Sequence, residues 1–398
     1  MKSAYWKGGG IIVALLLLCW LAGGLVVWQR NAVPQPPVLQ RDLPSANVYP
    51  QYVALVTQVQ QPRRILLLYR QGARGREVEE LLRANERVLA ELRRLNGKAS
   101  AVTELKPGAR FVGALAFPDV TRLVALEVRR DAASQPAKAL DTLLAGFHFA
   151  HGVQQEGAVL HLTTGFLAYV PLFETAPALL PRLEKAQLRR AAAEVRQIRK
   201  NMTPLKRIME AERCVRLDQL ASTVRPGASR IFRFDIPKDS YDWSFLLKPK
   251  RPAYDALNAY LTKWVALAEA PLSQVQPPPF PTELQGILDD ESLHPDAMAV
   301  HFIRYYYLRA RLAILETACH VEGYRKEKGA YPARLSQCIQ PDSAVDPFSG
   351  AALVYRRLRA GYVLYSVGPN GRDDGGQPYT ESRMRPDVTG DLLLQPNF

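Results

Sequence analysis

The chain has 398 residues, 47% hydrophobic and 23% charged, which excludes a disordered chain and a polytopic membrane protein. Lys and Arg number 52 against 38 Asp and Glu, and the net charge of +14 raises nucleic acid, an anionic membrane or another acidic surface as partners. Only four cysteines are present, which excludes a disulfide-dense scaffold and a CxxC metal module.

The amino-terminal region contains an uncharged apolar run, IIVALLLLCWLAGGLVVW, from Ile11 to Trp28. A helix of this length rises about 27 Å, close to the thickness of a bilayer core. Lys2 and Lys7 precede the run, and this excess of positive charge predicts a cytoplasmic amino terminus. We therefore predict that residues 1–28 are a cytoplasmic stub and an uncleaved signal anchor, with a cleaved signal peptide as the alternative. Either one places the remaining chain on the periplasmic side of a bacterial inner membrane, which argues against nucleic acid as a partner.

The region after the apolar run predicts a linker followed by a helical domain. Residues 29–50 contain five prolines and few large apolar side chains, which is typical of a semi-extended linker. Over residues 51–290 the apolar period is mainly helical, which predicts a body of helical hairpins. The apolar positions from Val78 to Leu95 form one stripe, and Asn96-Gly97 is expected to end that helix. No clean 34-residue self-similarity is present, so a regular repeat array is not predicted.

A strongly basic segment extends from Pro181 to Arg213, with ten basic and four acidic residues and a break expected at Pro204. The simplest interpretation is a solvated helix face. The alternative is contact with anionic lipid headgroups or with an acidic partner. The residues that would make this contact are Arg189, Arg190, Arg196, Arg199 and Lys200.

The sequence contains few signals of chemistry. His148 and His151 share a helix face and His161 follows, but without HExxH or a completing cysteine these histidines are better explained by packing than by a metal. Motifs for a nucleophile elbow, a phosphate-binding loop or a dinucleotide site are absent. We therefore predict no enzymatic activity, and an envelope hydrolase without a recognisable motif remains an alternative.

Two cysteines of the carboxyl-terminal region could form a disulfide. Cys319 lies within a long predicted helix from Asp296 to Lys328, and Cys338 follows the turn after it. A returning segment could bring the two close enough for a bridge in an exported domain. The alternative is two small buried apolar side chains.

Residues 291–398 combine that long helix with a pattern typical of a small antiparallel sheet. Leu353 to Leu358 and Gly361 to Val367 alternate as strands do, and an acidic, glycine-rich loop from Gly368 to Gly376 follows. With DPFSG at residues 346–350 and the run LYSVGPNG, this pattern resembles the carboxyl-terminal domain of the major pseudopilin of type II secretion systems over roughly residues 315–395. The whole chain also resembles membrane-anchored bacterial proteins that carry such a tail after a helical region.

The glycine-rich loop is a candidate calcium site. Asn370, Asp373 and Asp374 provide clustered oxygens, and Asp387 or Asp391 could complete the set from the far side. The alternative is a turn without metal, because Asn-Gly is a favoured turn pair. The resemblance implies a long helix packed on the sheet, and it adds the carbonyl of Leu364 and the side chain of Ser366 as calcium ligands.

The predicted fold is mainly α, with a transmembrane helix, a helical-hairpin body and a small pseudopilin-like α+β domain that holds a short antiparallel sheet. The predicted function is that of a non-enzymatic, membrane-anchored envelope protein with a helical interaction region, associated with a type II secretion-like apparatus. A pseudopilin-like filament subunit is a further alternative. It is disfavoured because Leu15 stands where pseudopilins have a glutamate.

Overall fold

The computed structural model confirms the coarse fold class. It is mostly helical (62%) and has a small three-stranded antiparallel sheet. The structure describes residues 17–26, 29, 31–105, 116–224, 249–285, 287–288, 290–340, 343–379, 384–385 and 388–394.

The elements follow one another in a long helical series that ends in the sheet. The helices are α1 (Tyr49–Gln58), α2 (Pro62–Arg70), α3 (Arg76–Ala84), α4 (Glu86–Arg94), α5 (Phe117–Asp131), α6 (Pro136–Gly152), α7 (Val159–Leu179), α8 (Lys185–Lys200), α9 (Leu205–Val224), α10 (Lys250–Leu267) and α11 (Pro295–Lys328). The strands are β1 (Val354–Leu358), β2 (Gly361–Ser366) and β3 (Leu392–Leu393). Strand β2 lies between β1 and β3 and pairs antiparallel with both.

Helix α11 is the centre of the molecule. It packs against α7 and α8 on the side of the body and against β2 and β3 on the side of the tail. Proline in its first turn lacks the amide that an α-helix leaves unpaired there, and Gly329 ends the helix with a φ of +75°. The predicted helix from Asp296 to Lys328 is therefore confirmed within one residue.

One hydrophobic core extends from the body into the tail. Phe302 and Leu308 of α11 belong to the same buried cluster as Phe348 and Leu364 of the tail. The predicted boundary between residues 290 and 291 stays a prediction, and the core is continuous across it.

The single helix predicted from Val78 to Leu95 is wrong, because the structure divides it into α3 and α4 at Asn85. The buried Asn85 amide accepts a hydrogen bond from the backbone N–H of Gln60 (2.8 Å) and donates to the Gln60 carbonyl (3.2 Å). These bonds satisfy the backbone N–H and C=O of Gln60, just after α1. If the helix continued through Asn85 and its side chain pointed elsewhere, both groups would be left unpaired.

The proline-rich linker lies on the body. The Arg41 guanidinium donates to the carbonyls of Val102 (2.6 Å) and Thr103 (3.0 Å), and the Asn47 amide donates to the Ala101 carbonyl (2.7 Å). Val33 packs against the core near the beginning of the linker. The linker is thus packed on the body by these hydrogen bonds and apolar contacts, and it does not extend freely from it.

Part of the predicted anchor is described. Residues 17–26 are helical and exposed, and the remaining anchor residues, 11–16 and 27–28, lie outside the described residues. Within the described part of the chain, no helix is both long enough and apolar enough to cross a bilayer. The transmembrane helix therefore stays a prediction.

Candidate functional site

The acidic loop after β2 brings four of the six predicted calcium ligands together. The Asn370 amide donates to Oδ2 of Asp374 (2.8 Å), and the backbone N–H of Gly390 donates to the same oxygen (2.6 Å). Asp391 approaches from the far side, where its Oδ2 accepts the backbone N–H of Gly376 (2.7 Å). The two segments of the loop are therefore joined by carboxylates, because Asp391 accepts a hydrogen bond from the N–H of Gly376 and Asp374 accepts one from the N–H of Gly390.

Asp373 is the fourth member of this group. Its Oδ1 accepts hydrogen bonds from the Tyr365 hydroxyl (2.8 Å) and from the backbone N–H of Gly375 (2.9 Å). Burial raises the pKa of Asp391, and the negative charges of Asp373 and Asp374 raise it further. The charges of Asp373 and Asp374 both act on buried Asp391, and a divalent cation beside Asp391 would offset that repulsion.

The other two predicted ligands have different partners. The Leu364 carbonyl accepts the backbone N–H of Leu394 (3.0 Å), and the Ser366 hydroxyl donates to Oδ1 of Asp346 (2.9 Å). Asp346 is completely buried, and its Oδ2 accepts the backbone N–H of Val367 (2.8 Å). Asp346 therefore closes the DPFSG turn onto the end of β2, a role that the sequence analysis missed.

The residues of the loop fit calcium in part. Asn370, Asp373, Asp374 and Asp391 supply the oxygen donors that calcium prefers, whereas Leu364 and Ser366 are engaged in pairing the tail segments. Within the described ranges, no three His, Cys, Asp or Glu side chains form a group that could hold a metal ion. Asp387, the alternative closing residue, lies outside the described residues.

Three arginines of the predicted basic contact face on α8 bind carboxylates of the protein, and the contact of this face with an anionic surface stays a prediction. Arg196 (Nε, 2.7 Å) and Arg199 (Nη2, 2.8 Å) both bind Glu316 of α11, whose side chain is 0% exposed. Arg190 binds Asp141 of α6 at 2.6 Å. A buried carboxylate requires paired cations, so Arg196 and Arg199 serve packing between helices, whereas the Arg190–Asp141 pair is exposed to solvent. Arg189 and Lys200 are exposed and, of the five, have no ion pair among the described residues.

A small cavity lies beside Arg189, where α8, the end of α11 and the turn at residues 335–338 meet. Its volume is about 200 Å³. The side chains that line it are Lys185, Leu188, Arg189, Cys319, His320, Tyr324, Glu327, Lys328, Gln337 and Cys338, together with Gly323. Burial lowers the pKa of His320, which favours the neutral imidazole in the cavity wall.

The predicted disulfide between Cys319 and Cys338 is not formed in the structure, where both are free thiols. Cys319 is buried in α11, and the Cys338 thiol donates to the Leu335 carbonyl of its own turn at 3.4 Å. Both residues line the cavity, which lies where their two segments meet α8.

The three histidines considered as metal ligands have other surroundings. His148 contacts Oε2 of Glu194 through Nε2 at 2.8 Å, and His151 contacts the amide of Gln155. Burial lowers the pKa of His151 to about 3 and that of His161 to about 4, so both are neutral at pH 7. These contacts agree with packing histidines.

Comparisons of the chain with protein-family models, with curated proteins and with solved structures find no match.

Proposed function

We propose that the chain is a single-pass, membrane-anchored envelope protein without enzymatic activity, whose helical body is an interaction domain. The observation that carries this proposal is the exposed apolar helix over residues 17–26. Leu18, Trp20 and Leu21 in it are 61%, 75% and 59% exposed. Apolar side chains in such density are unfavourable in water and are stabilised when a bilayer surrounds them.

The orientation follows from charge. Lys2 and Lys7 precede the apolar run, so the amino terminus is cytoplasmic and the body is periplasmic. The partner of the body is then an envelope protein, such as a component of a secretion apparatus, and not nucleic acid.

Fractionation of membranes with an alkaline wash tests the anchor. The parent chain is expected in the membrane pellet, and a triple variant with Leu18→Arg, Leu21→Arg and Leu25→Arg is expected in the soluble fraction. A matched control carries the same change at three exposed leucines outside the anchor, Leu67 and Leu160 of the body and Leu358 of the tail, and is expected to stay in the pellet. A parent chain that the wash releases would overturn the proposal.

Packing around α11 favours this function over a filament subunit. The contact of α11 with β2 and β3 supports the resemblance to pseudopilins, in which a long helix packs on a small sheet. However, α7 and α8 cover other faces of α11, so within this chain the helix is enclosed. The mass of the mature amino-terminal peptide distinguishes the classes. An intact terminus supports the anchor, cleavage beside Gly10 supports a filament subunit, and cleavage after the apolar run supports a signal peptide.

We also propose that the acidic loop binds calcium through Asn370, Asp373, Asp374 and Asp391. The proximity of these side chains and the raised pKa of Asp391 support this proposal. Calcium would offset the repulsion among the carboxylates and hold the loop closed on β2.

A further inference from the structure

The cavity beside Arg189 has the size of a site for a small ligand. Its volume is about 200 Å³, which admits a small molecule or ion. Three separate segments form its walls, which are α8, the last turns of α11 and the turn at residues 335–338. A ligand in this cavity would therefore contact the body and the tail at the same time.

The charges in the cavity wall are mostly positive. Lys185, Arg189 and Lys328 stand against one carboxylate, Glu327. Glu327 is already bound by Lys185 and by Lys328 (Nζ to Oε1, 3.2 Å). Arg189 has no ion pair within the part of the chain that the structure describes, so its charge is uncompensated.

The cavity wall also contains hydrogen-bond donors. The Gln337 side-chain oxygen accepts the backbone N–H groups of Ala333 (2.6 Å) and Arg334 (3.3 Å), which leaves the Gln337 amide NH₂ as a donor. Tyr324 also lines the cavity. The wall thus offers donors from several sides to an acceptor-rich anion.

We propose that this cavity binds a phosphate group, with the guanidinium of Arg189 as its main partner. A guanidinium matches two phosphate oxygens at once, and flanking ammonium groups add charge without demanding a fixed geometry. The phosphate is either that of a free phosphate ester or that of an anionic lipid headgroup. The free-phosphate case does not depend on the membrane anchor, so either proposal can fail alone.

Cys338 gives a direct readout of occupancy, because it is half-buried in the cavity wall. Burial raises the pKa of its thiol to about 11, so maleimide labelling near pH 8 is slow and reports access. Cys214 lies on α9, away from the residues that line the cavity, and serves as the internal reference.

The experiment labels the reduced full-length chain in detergent and quantifies each cysteine by peptide mass spectrometry. Inorganic phosphate is expected to slow Cys338 labelling several-fold and to leave Cys214 unchanged, when compared with chloride at equal ionic strength. Arg189→Ala is expected to abolish the protection, and Lys200→Ala, an exposed cation at the other end of α8, is expected to retain it. The melting temperature provides a second readout and should rise with phosphate in the parent but not in Arg189→Ala.

Lipid nanodiscs distinguish the two sources. Protection by inorganic phosphate in detergent supports the free ester, and protection only in phosphatidylglycerol nanodiscs, not in phosphatidylcholine nanodiscs, supports the headgroup. Equal protection by chloride, protection that survives Arg189→Ala, or no change in either readout would overturn the proposal.

Discussion

The carboxylate of Glu316 on α11 is completely buried and accepts a hydrogen bond from Nε of Arg196 on α8 at 2.7 Å. Its second oxygen is bound by Arg199 at 2.8 Å. The central helix pair is therefore joined by a charge cluster inside the core. Such a cluster is sensitive to the loss of one member, because the remaining charge stays buried without compensation.

We expect Arg199→Ala to reduce the free energy of unfolding by about 2–4 kcal/mol, because the Arg199 side chain is only 14% exposed and its loss leaves Glu316 half-paired. Urea unfolding of the full chain in detergent measures this change. The neighbouring Lys200→Ala removes an exposed charge and is expected to change stability by less than about 0.5 kcal/mol. Equal stability of the two variants would contradict the role assigned to Arg199.

The tail depends on a close approach of backbone at Gly390. This residue has a φ of +126°, and a Cβ there would lie 2.6 Å from the Cα of Tyr379. Gly390→Ala is therefore expected to destabilise the tail by more than about 2 kcal/mol, through strain and displaced backbone. Gly371→Ala is the matched control, because its φ is +67° but no atom lies within 4 Å of its Cβ.

Gly371→Ala should cost only about 1 kcal/mol, from backbone conformation alone. Hydrogen exchange of the β2 and β3 amides measures both changes, and equal protection in the two variants would argue against the packing role of Gly390.

Local signals explain what the sequence predicted well. Pro295 and Gly329 mark the two ends of α11 through their own backbone preferences, and the β1–β2 hairpin follows from alternation over a short span. The pairing of Glu316 with Arg196 joins residues 120 positions apart. No local pattern indicates that pairing, and the basic segment therefore looked like a solvated face.

The same limit applies to the candidate site. Asn370, Asp373 and Asp374 are close in sequence, so a local pattern was enough to place them together, and Asp391 joins them from 17 residues further along the chain. Ser366 was assigned by resemblance, and its observed partner, Asp346, lies on a separate turn. The break at Asn85 likewise depends on the backbone of Gln60, which lies between α1 and α2, 25 residues earlier in the chain.

Buried His301 predicts a loss of stability in acid. Burial lowers its pKa to about 3, and the cations Arg304 on the same helix and Arg216 on α9 lower it further. Thr163 of α7 is a weak contact at 3.5 Å from Nδ1. In the unfolded chain the His301 imidazole takes up a proton near pH 6.5, whereas in the folded chain it stays neutral until a much lower pH. The contribution of neutral His301 to the free energy of unfolding is therefore present above pH 6.5 and is lost as the pH falls toward 3.

His301→Gln is expected to remove about one proton from the pH dependence of the free energy of unfolding between pH 4 and 6. At pH 8 the imidazole is neutral in both states, so urea unfolding there measures the packing change alone and provides the reference. An unchanged slope in the variant would contradict a buried, neutral His301.

Calcium binding predicts that the melting temperature of the parent chain is higher in about 1 mM calcium than in chelator. Asp373→Asn keeps an acceptor for the Tyr365 hydroxyl but removes one negative charge from the loop. We expect this variant to lose the calcium-dependent shift. In chelator it should be at least as stable as the parent, because the repulsion on buried Asp391 is reduced.

Asp42→Asn, at an exposed linker position, is expected to keep the full shift. A parent chain that melts at the same temperature with calcium and with chelator would reject the calcium site, and the loop would then be a turn held by its own hydrogen bonds.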